Sequence, residues 1–308
     1  MSQWVQRASM PTPRHDLQAI SVGPRIYAIA GAGDETVDVV EIYDPAEDRW
    51  EQGPPIQLMR GWFGAVLLDG FIYAVGGKRL RPDEEKEESG DIAHYEIRDS
   101  VERLELATGT WSFVAPLSAP RAGLVATVCG GKIYAIGGNA MDNETRSGGP
   151  HLDRVEVFDP QRGHWSPGAP LPFGLQGPSV ATIDDRIYLT SGIGGPGKGP
   201  NNLSFVFDPR AGRWEEIAAI PTGRCDAGVV SVGRRIYTCG GWGGEPRHDR
   251  VEVYDVDADA WSSAASMPEK KAWMAAAAVG PRIFVMGGAS MRAGGSGNIW
   301  LDSLHELV

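Results

Sequence analysis

Residues 227–232 (AGVVSV) and Arg235–Cys239 (RIYTC) are short runs rich in apolar and β-branched positions, joined by a VGRR turn. A polar loop leads to residues 251–254 (VEVY), and after the turn DVDADA a further run starts at Trp261. Runs of this length, bounded by glycine and aspartate, predict four short antiparallel strands, and helical periodicity is nowhere sustained. The same four-run unit recurs five more times. The second glycine of its pair, Gly241, lies 17 residues after Arg224, and the same step separates Arg14 from Gly31, Arg60 from Gly77, Arg121 from Gly138, Leu175 from Gly192 and Lys271 from Gly288. Each of Trp4, Trp50, Trp111, Trp165, Trp214 and Trp261 precedes the next of these starting positions by 10 residues.

Repeats of about 50 residues with four strand-like runs, a glycine pair and a late tryptophan resemble Kelch repeats, and the likeness covers the whole chain. It implies an all-β fold: a six-bladed Kelch β-propeller with four antiparallel strands per blade, forming one domain over residues 1–308. Tyr27, Tyr73, Tyr134, Tyr188, Tyr237 and Phe284 each stand four residues before a second glycine, as an aromatic on a buried strand would. Ala30-Gly31 and Ser191-Gly192 depart from Gly-Gly, but the second glycine is kept. Trp4 heads a fourth strand with no first three before it, so the N-terminal strand is expected to join the last blade and close the ring. With Glu306 taken as the counterpart of Asp255, residues 306–308 followed by 1–4 span the same six steps as Asp255 to Trp261.

Alternating strand direction places the two fixed-length turns on one face and the loops between second and third strands on the other. From the second glycine to the acid ending the third strand the intervals are 13, 28, 21, 16, 14 and 18 residues, so all length variation falls on that second face. Function is expected there. The longest loop, residues 78–99, carries PDEEKEESGD and then His94 and Tyr95; it reads as a solvated acidic flap or as a lid over the axis.

A net charge of −11 argues against nucleic acid or an anionic membrane surface as partner. There is no apolar run long enough to span a bilayer and no basic-then-apolar start, so a cytoplasmic location and a monomer are expected. Cys129, Cys225 and Cys239 have no disulfide-framework or zinc spacing and are expected to be free thiols. No cofactor or metal motif occurs.

Five of the six repeat-starting positions are cationic: Arg14, Arg60, Arg121, Arg224 and Lys271. Where the chain arrives at the axis, such a set suggests an anion-binding pocket, with the arginine fork suited to carboxylate or phosphate. Two residues further on, Asp16, Trp62, Gly123, Gly177, Asp226 and Trp273 form a mixed set that no repeat requirement explains. Trp62, Trp273 and Trp242, with Trp300, lie outside the blade-tryptophan spacing and read as stacking walls, with His94 as a further ligand contact. His15 and Asp226 are the candidates for proton transfer, and Cys225 beside Arg224 is a weaker candidate nucleophile. These residues support binding of an acidic small molecule or acidic peptide. The alternative is an enzyme of isomerase, mutarotase or cyclase type, similar to the Kelch sialic acid mutarotases, using the same pocket on an acidic substrate.

Overall fold

The computed structural model describes residues 3–81, 95–140, 149–197, 199–244, 247–292 and 297–308, and His94 lies outside them. Blade 5 shows how the repeat folds. Gly228–Val232, Arg235–Cys239, Val251–Asp255 and Ala260–Ser263 pair in sequence order as antiparallel neighbours. The first turn is carried by Gly233 at φ 59°, a conformation in which glycine meets no Cβ penalty. The second is set by Asp255, whose Oδ1 accepts hydrogen bonds from the backbone of Asp257 (3.1 Å) and Ala258 (3.3 Å). Such a side chain closing its own turn explains why aspartate ends the third strand of so many repeats.

Six four-stranded antiparallel sheets of this kind are present. Their innermost strands, Gln18–Val22, Gly64–Leu68, Val125–Cys129, Ser179–Ile183, Gly228–Val232 and Ala275–Val279, touch in an unbroken circle. The hydrophobic core lies between blades. Val66, Leu68 and Tyr73 of one blade, for example, pack with Ile133, Ala135 and Phe158 of the next. The recurring tryptophans lock this packing at the rim: Trp4, Trp50, Trp111, Trp165, Trp214 and Trp261 each donate Nε1–H to a backbone carbonyl of the preceding blade at 2.8–3.2 Å. A buried indole needs such an acceptor, which ties the residue type to its position. Among the described residues no helix is long and apolar enough to cross a membrane, and all three cysteines are free and buried.

The N-terminal strand Trp4–Arg7 closes the last blade, pairing with Leu304–Leu307. Its register differs from the one expected. Trp4 stands opposite Leu307, and Ile283 pairs with Leu307 as Ile236 pairs with Tyr254, so Val308 occupies the place of Asp255 and Glu306 that of Val253. The two strands come from opposite ends of the sequence, so no turn of fixed length sets their offset. Side-chain partners set it instead: Glu306, 0% exposed, takes hydrogen bonds from Arg7 Nε at 2.7 Å and Arg282 Nε at 2.5 Å. Burial would raise the Glu306 pKa, but the bonds from Arg282 and Arg7 outweigh it and hold the carboxyl below its ordinary value.

A carboxylate with a lowered pKa contributes stability above its unfolded-state pKa and loses it as pH falls through the folded one. Glu306→Gln should therefore destabilise the ring by about 1.5–3 kcal/mol at pH 7, the range for charge-assisted bonds, with a smaller deficit at acid pH. Urea denaturation of both proteins at pH 7 and pH 4 measures this; an equal deficit at both would exclude the ion-pair clasp.

Candidate functional site

At the axis, Asp16, Trp62, Gly123, Gly177, Asp226 and Trp273 form a closed circle of backbone hydrogen bonds. Each N–H donates to the carbonyl of its counterpart in the preceding blade at 2.8–3.0 Å, and Asp16 completes the circle by donating to Trp273. All six have φ between 53° and 64°. The repeat does therefore impose a requirement on this mixed set, and it falls on the backbone, leaving the side chain open. Glycine meets it without cost and aspartate tolerates it, but a bulky residue at positive φ is an outlier. Trp62 and Trp273 are thus held in strained conformations by the closed circle, and such strain concentrates at functional sites.

The five cations do not line this opening. Arg14, Arg60, Arg121, Arg224 and Lys271 are each 0% exposed. Arg14, Arg60 and Arg121 bind the third-strand glutamates Glu41, Glu102 and Glu156 at 2.5, 2.5 and 2.8 Å, and Arg224 binds Glu252. Each arginine also donates to the carbonyl just before the second glycine, from Ala30, Gly76, Gly137 and Gly240 at 2.8–2.9 Å. Burial lowers the pKa of Arg60 and of Arg121 to about 10, with their glutamates opposing the shift. Lys271 is lowered to about 8 by burial; its Nζ donates to Ser303 at 3.1 Å, where the third strand offers His305 in place of glutamate. Blade 4 has Leu175 for the arginine and Phe205 for the glutamate, and both are buried. Partners replaced together identify a structural pair, since an apolar pair fills the same place without an unmatched charge. The expected anion-binding role of the five is corrected on this ground: each is buried behind the wall and held by partners within the fold.

Above the circle, on the variable-loop face, lies a cavity of about 780 Å³. It brings together His15, Asp16, Asp226, Trp62, Tyr95, Trp242, Trp273 and Trp300, which the sequence had marked, with Lys78 and Arg247. Trp62 Nε1 donates to Asp226 Oδ1 at 2.8 Å. The Asp226 carboxylate lies so close over Gly177 that a Cβ there would stand 2.5 Å from Oδ1. Desolvation raises the Asp226 pKa to about 6, helped by the charge of Asp16 and opposed by bonds from Cys225 and Trp62 and by Lys78. Asp16 is 8% exposed, and its Oδ2 lies 3.3 Å from His15 Nδ1. The His15 ring stacks on Trp300 at 4.3 Å. Lys78 Nζ lies 4.2 Å from the Trp62 ring centre and 4.4 Å from that of Tyr95, while Arg247 covers Trp273 at 4.8 Å.

Two further expectations change. Cys225, 2% exposed, has its thiol pKa raised well above the usual value by desolvation and by Asp226, which disqualifies it as a nucleophile at neutral pH. The cavity is also not predominantly cationic among the described residues: Asp16, Asp34, Glu35 and Asp226 face Lys78 and Arg247. Sequence reasoning missed these two cations. Lys78 directly follows a second glycine, where the other repeats have Ala32, Asn139, Ile193, Trp242 and Ala289. Variation at that slot was the available signal; Arg247, in a variable loop, carried none.

Comparison with known proteins gives a consistent picture. The profile of the KLHDC2/KLHL20/DRC7 Kelch-repeats domain matches residues 65–288, and that of the Kelch motif matches residues 13–57. Kelch-like protein 15 of Danio rerio is 27% identical over 196 residues, covering 62% of this chain and 32% of that protein. Alpha-scruin of Limulus polyphemus is 27% identical over 199 residues, covering 62% of this chain and 20% of its own. The matches thus span a third or less of these relatives' length. A solved structure titled "Structure of YjhT" superposes with a TM-score of 0.78 over 96% of this chain and 95% of that one, at 17% identity, which speaks for the fold alone.

The buried pairs yield a double-substitution test. Arg224→Leu alone should destabilise by about 3–5 kcal/mol by leaving Glu252 charged and unmatched, whereas Arg224→Leu with Glu252→Phe, the pair blade 4 already uses, should recover most of that loss. Chemical denaturation of the single and double variants measures the coupling; additive losses would show that the two side chains do not act as a pair.

Proposed function

The chain belongs to the Kelch-repeat family, and we propose that its axial cavity is a small-molecule site in which the Asp226 carboxyl group exchanges a proton with the bound molecule. Kelch domains generally mediate protein binding, and the propeller also serves enzymes, so the fold does not decide between them. The chemistry of the site favours proton transfer. The observation that carries this reading is Asp226: a desolvated carboxyl in an aromatic cavity, oriented by Trp62, with its pKa near 6. A carboxyl that titrates close to working pH can both take and return a proton, which an ordinary aspartate cannot do efficiently.

His15, beside Asp16 and stacked on Trp300, offers a second exchangeable proton in the same cavity. A proton removed at one ligand atom by Asp226 and delivered at another by His15 makes an isomerisation, the reaction class this pair serves. Trp242, with Trp62 and Trp273 on which Lys78 and Arg247 already lie, supplies aromatic wall for a ring. The acidic-ligand expectation loses its five cations, and four carboxylates in the cavity weigh against an anionic molecule.

The Asp226 shift has a testable sign. Between the ordinary aspartate value of 3.8 and about 6 the folded chain holds the proton that the unfolded chain releases, so stability from this group falls as pH rises through that window. Above it, the ionised carboxyl imposes a constant penalty. Asp226→Asn retains an acceptor for Trp62 and should raise stability at pH 7.5 by up to about 3 kcal/mol, from about 1.4 kcal/mol per pKa unit, while abolishing turnover. Carboxyl NMR titration should place Asp226 near 6; a midpoint near 4, or an unstabilised Asn variant, would sink the assignment.

A further inference from the structure

The two cations that line the cavity among the described residues already rest on its aromatic faces, Lys78 between Trp62 and Tyr95 and Arg247 on Trp273. Indole is the strongest side-chain partner for a cation, because its negative face attracts charge, and desolvation strengthens the attraction. Among the described residues, Trp242 lines the same cavity without a cation of the chain over it, whereas Trp300 carries the His15 ring at 4.3 Å. The walls therefore offer more cation-binding surface than the chain itself fills.

The carboxylates point the same way. Among the described residues that line the cavity, Asp16, Asp34, Glu35 and Asp226 outnumber Lys78 and Arg247. Asp34 is engaged by Trp300 Nε1 at 2.9 Å, and Asp226 by Trp62. Asp16 is different: at 8% exposure it is more than nine-tenths buried and borders the cavity, its Oδ2 lies 3.3 Å from His15 Nδ1, and its buried Oδ1 accepts no hydrogen bond among the described residues. A buried carboxylate with one oxygen lacking a donor is costly, and the positive charge of a ligand group nearby offsets part of that cost electrostatically. An anion would instead be placed among like charges. The chain's net charge of −11 steers cations towards it.

We infer that the molecule taken by this cavity carries an organic ammonium group, seated against the tryptophan faces and within reach of Asp16 and Asp226. This rests on reading the cavity as a small-molecule site and adds the class of ligand. Lys78 is then a tethered competitor: its ammonium occupies one aromatic slot and opposes proton binding at Asp226. Removing it should favour a cationic ligand and disfavour an anionic one, so its substitution distinguishes the two chemistries.

The test uses the full chain at pH 8, where Asp226 is ionised, with calorimetric titration of choline, its uncharged isostere 3,3-dimethylbutan-1-ol, and acetate. Choline should bind at least about tenfold more tightly than the isostere, an affinity ratio equal to one electrostatic contact of about 1.4 kcal/mol. Lys78→Gln should tighten choline binding, and Asp16→Asn and Asp226→Asn should each weaken it, with melting curves confirming that all three variants fold. A trimethyllysine peptide binding more tightly than choline would place the ammonium on a protein side chain, whereas choline alone binding would place it on a free small molecule. Equal affinity for the isostere, weaker choline binding in Lys78→Gln, or acetate binding that this substitution abolishes would overturn the inference. If the cation preference fails while Asp226 still titrates near 6, the ammonium assignment falls and the proton-transfer reading stands. An Asp226 midpoint near 4 rejects proton transfer whatever choline does.

Discussion

Everything at the axis depends on a closed circle of six backbone hydrogen bonds, each running from one blade to the one before it. Six blades can converge without leaving their innermost N–H and C=O groups unsatisfied because the chain turns through positive φ at every point of contact. That turn sets where six side chains begin. Four of them are Asp16, Trp62, Asp226 and Trp273, so the floor of the cavity is built from the same residues that seal the ring. Gly123 and Gly177 are the complement, because the Trp62 indole and the Asp226 carboxylate lie directly over them.

A second circle explains the buried cations. The second glycine of each repeat donates its N–H, at 2.8–2.9 Å, to the carbonyl of the residue that starts the neighbouring repeat. The turn that permits this leaves the preceding carbonyl facing inwards, and the arginine of the same blade answers it. A glutamate on the third strand then balances the charge. Guanidinium serves here because it offers several donors in a fixed plane, while the Lys271 amine needs the Ser303 hydroxyl and Glu269 instead. The apolar Leu175 and Phe205 of blade 4 show that propeller geometry survives without the ion pair.

Asp226 stands apart from this economy. The ring arginines are surrounded by acceptors and counter-charges, but Asp226 is desolvated beside another carboxylate, against which stand the Trp62 and Cys225 bonds and the charge of Lys78. Its ionised form is disfavoured by the fold that holds it, and positive φ at Trp62 and Trp273 adds backbone strain in the same place. Structural sites relax such conflicts; sites that act on ligands keep them.

The sequence by itself determined the six-fold repeat, the four strands of each blade, the closing strand at Trp4 and the face on which loops vary. These follow from hairpins and turns whose requirements are local, so fixed spacings between glycine, tryptophan and aromatic residues record them directly. It also brought Trp62, Trp273 and Asp226 to notice, because variation at one slot of a repeat is visible in a single chain. Only the tertiary structure decided what the charges do. Arg60 meets Glu102 across 42 positions and Trp62 meets Asp226 across 164; the joint loss of arginine and glutamate in blade 4 hints at the first pairing, but nothing in the sequence says that the pair is buried, and the second leaves no sign at all. An arginine at the axis therefore reads the same whether it faces a ligand or a buried glutamate, and packing alone separates the two.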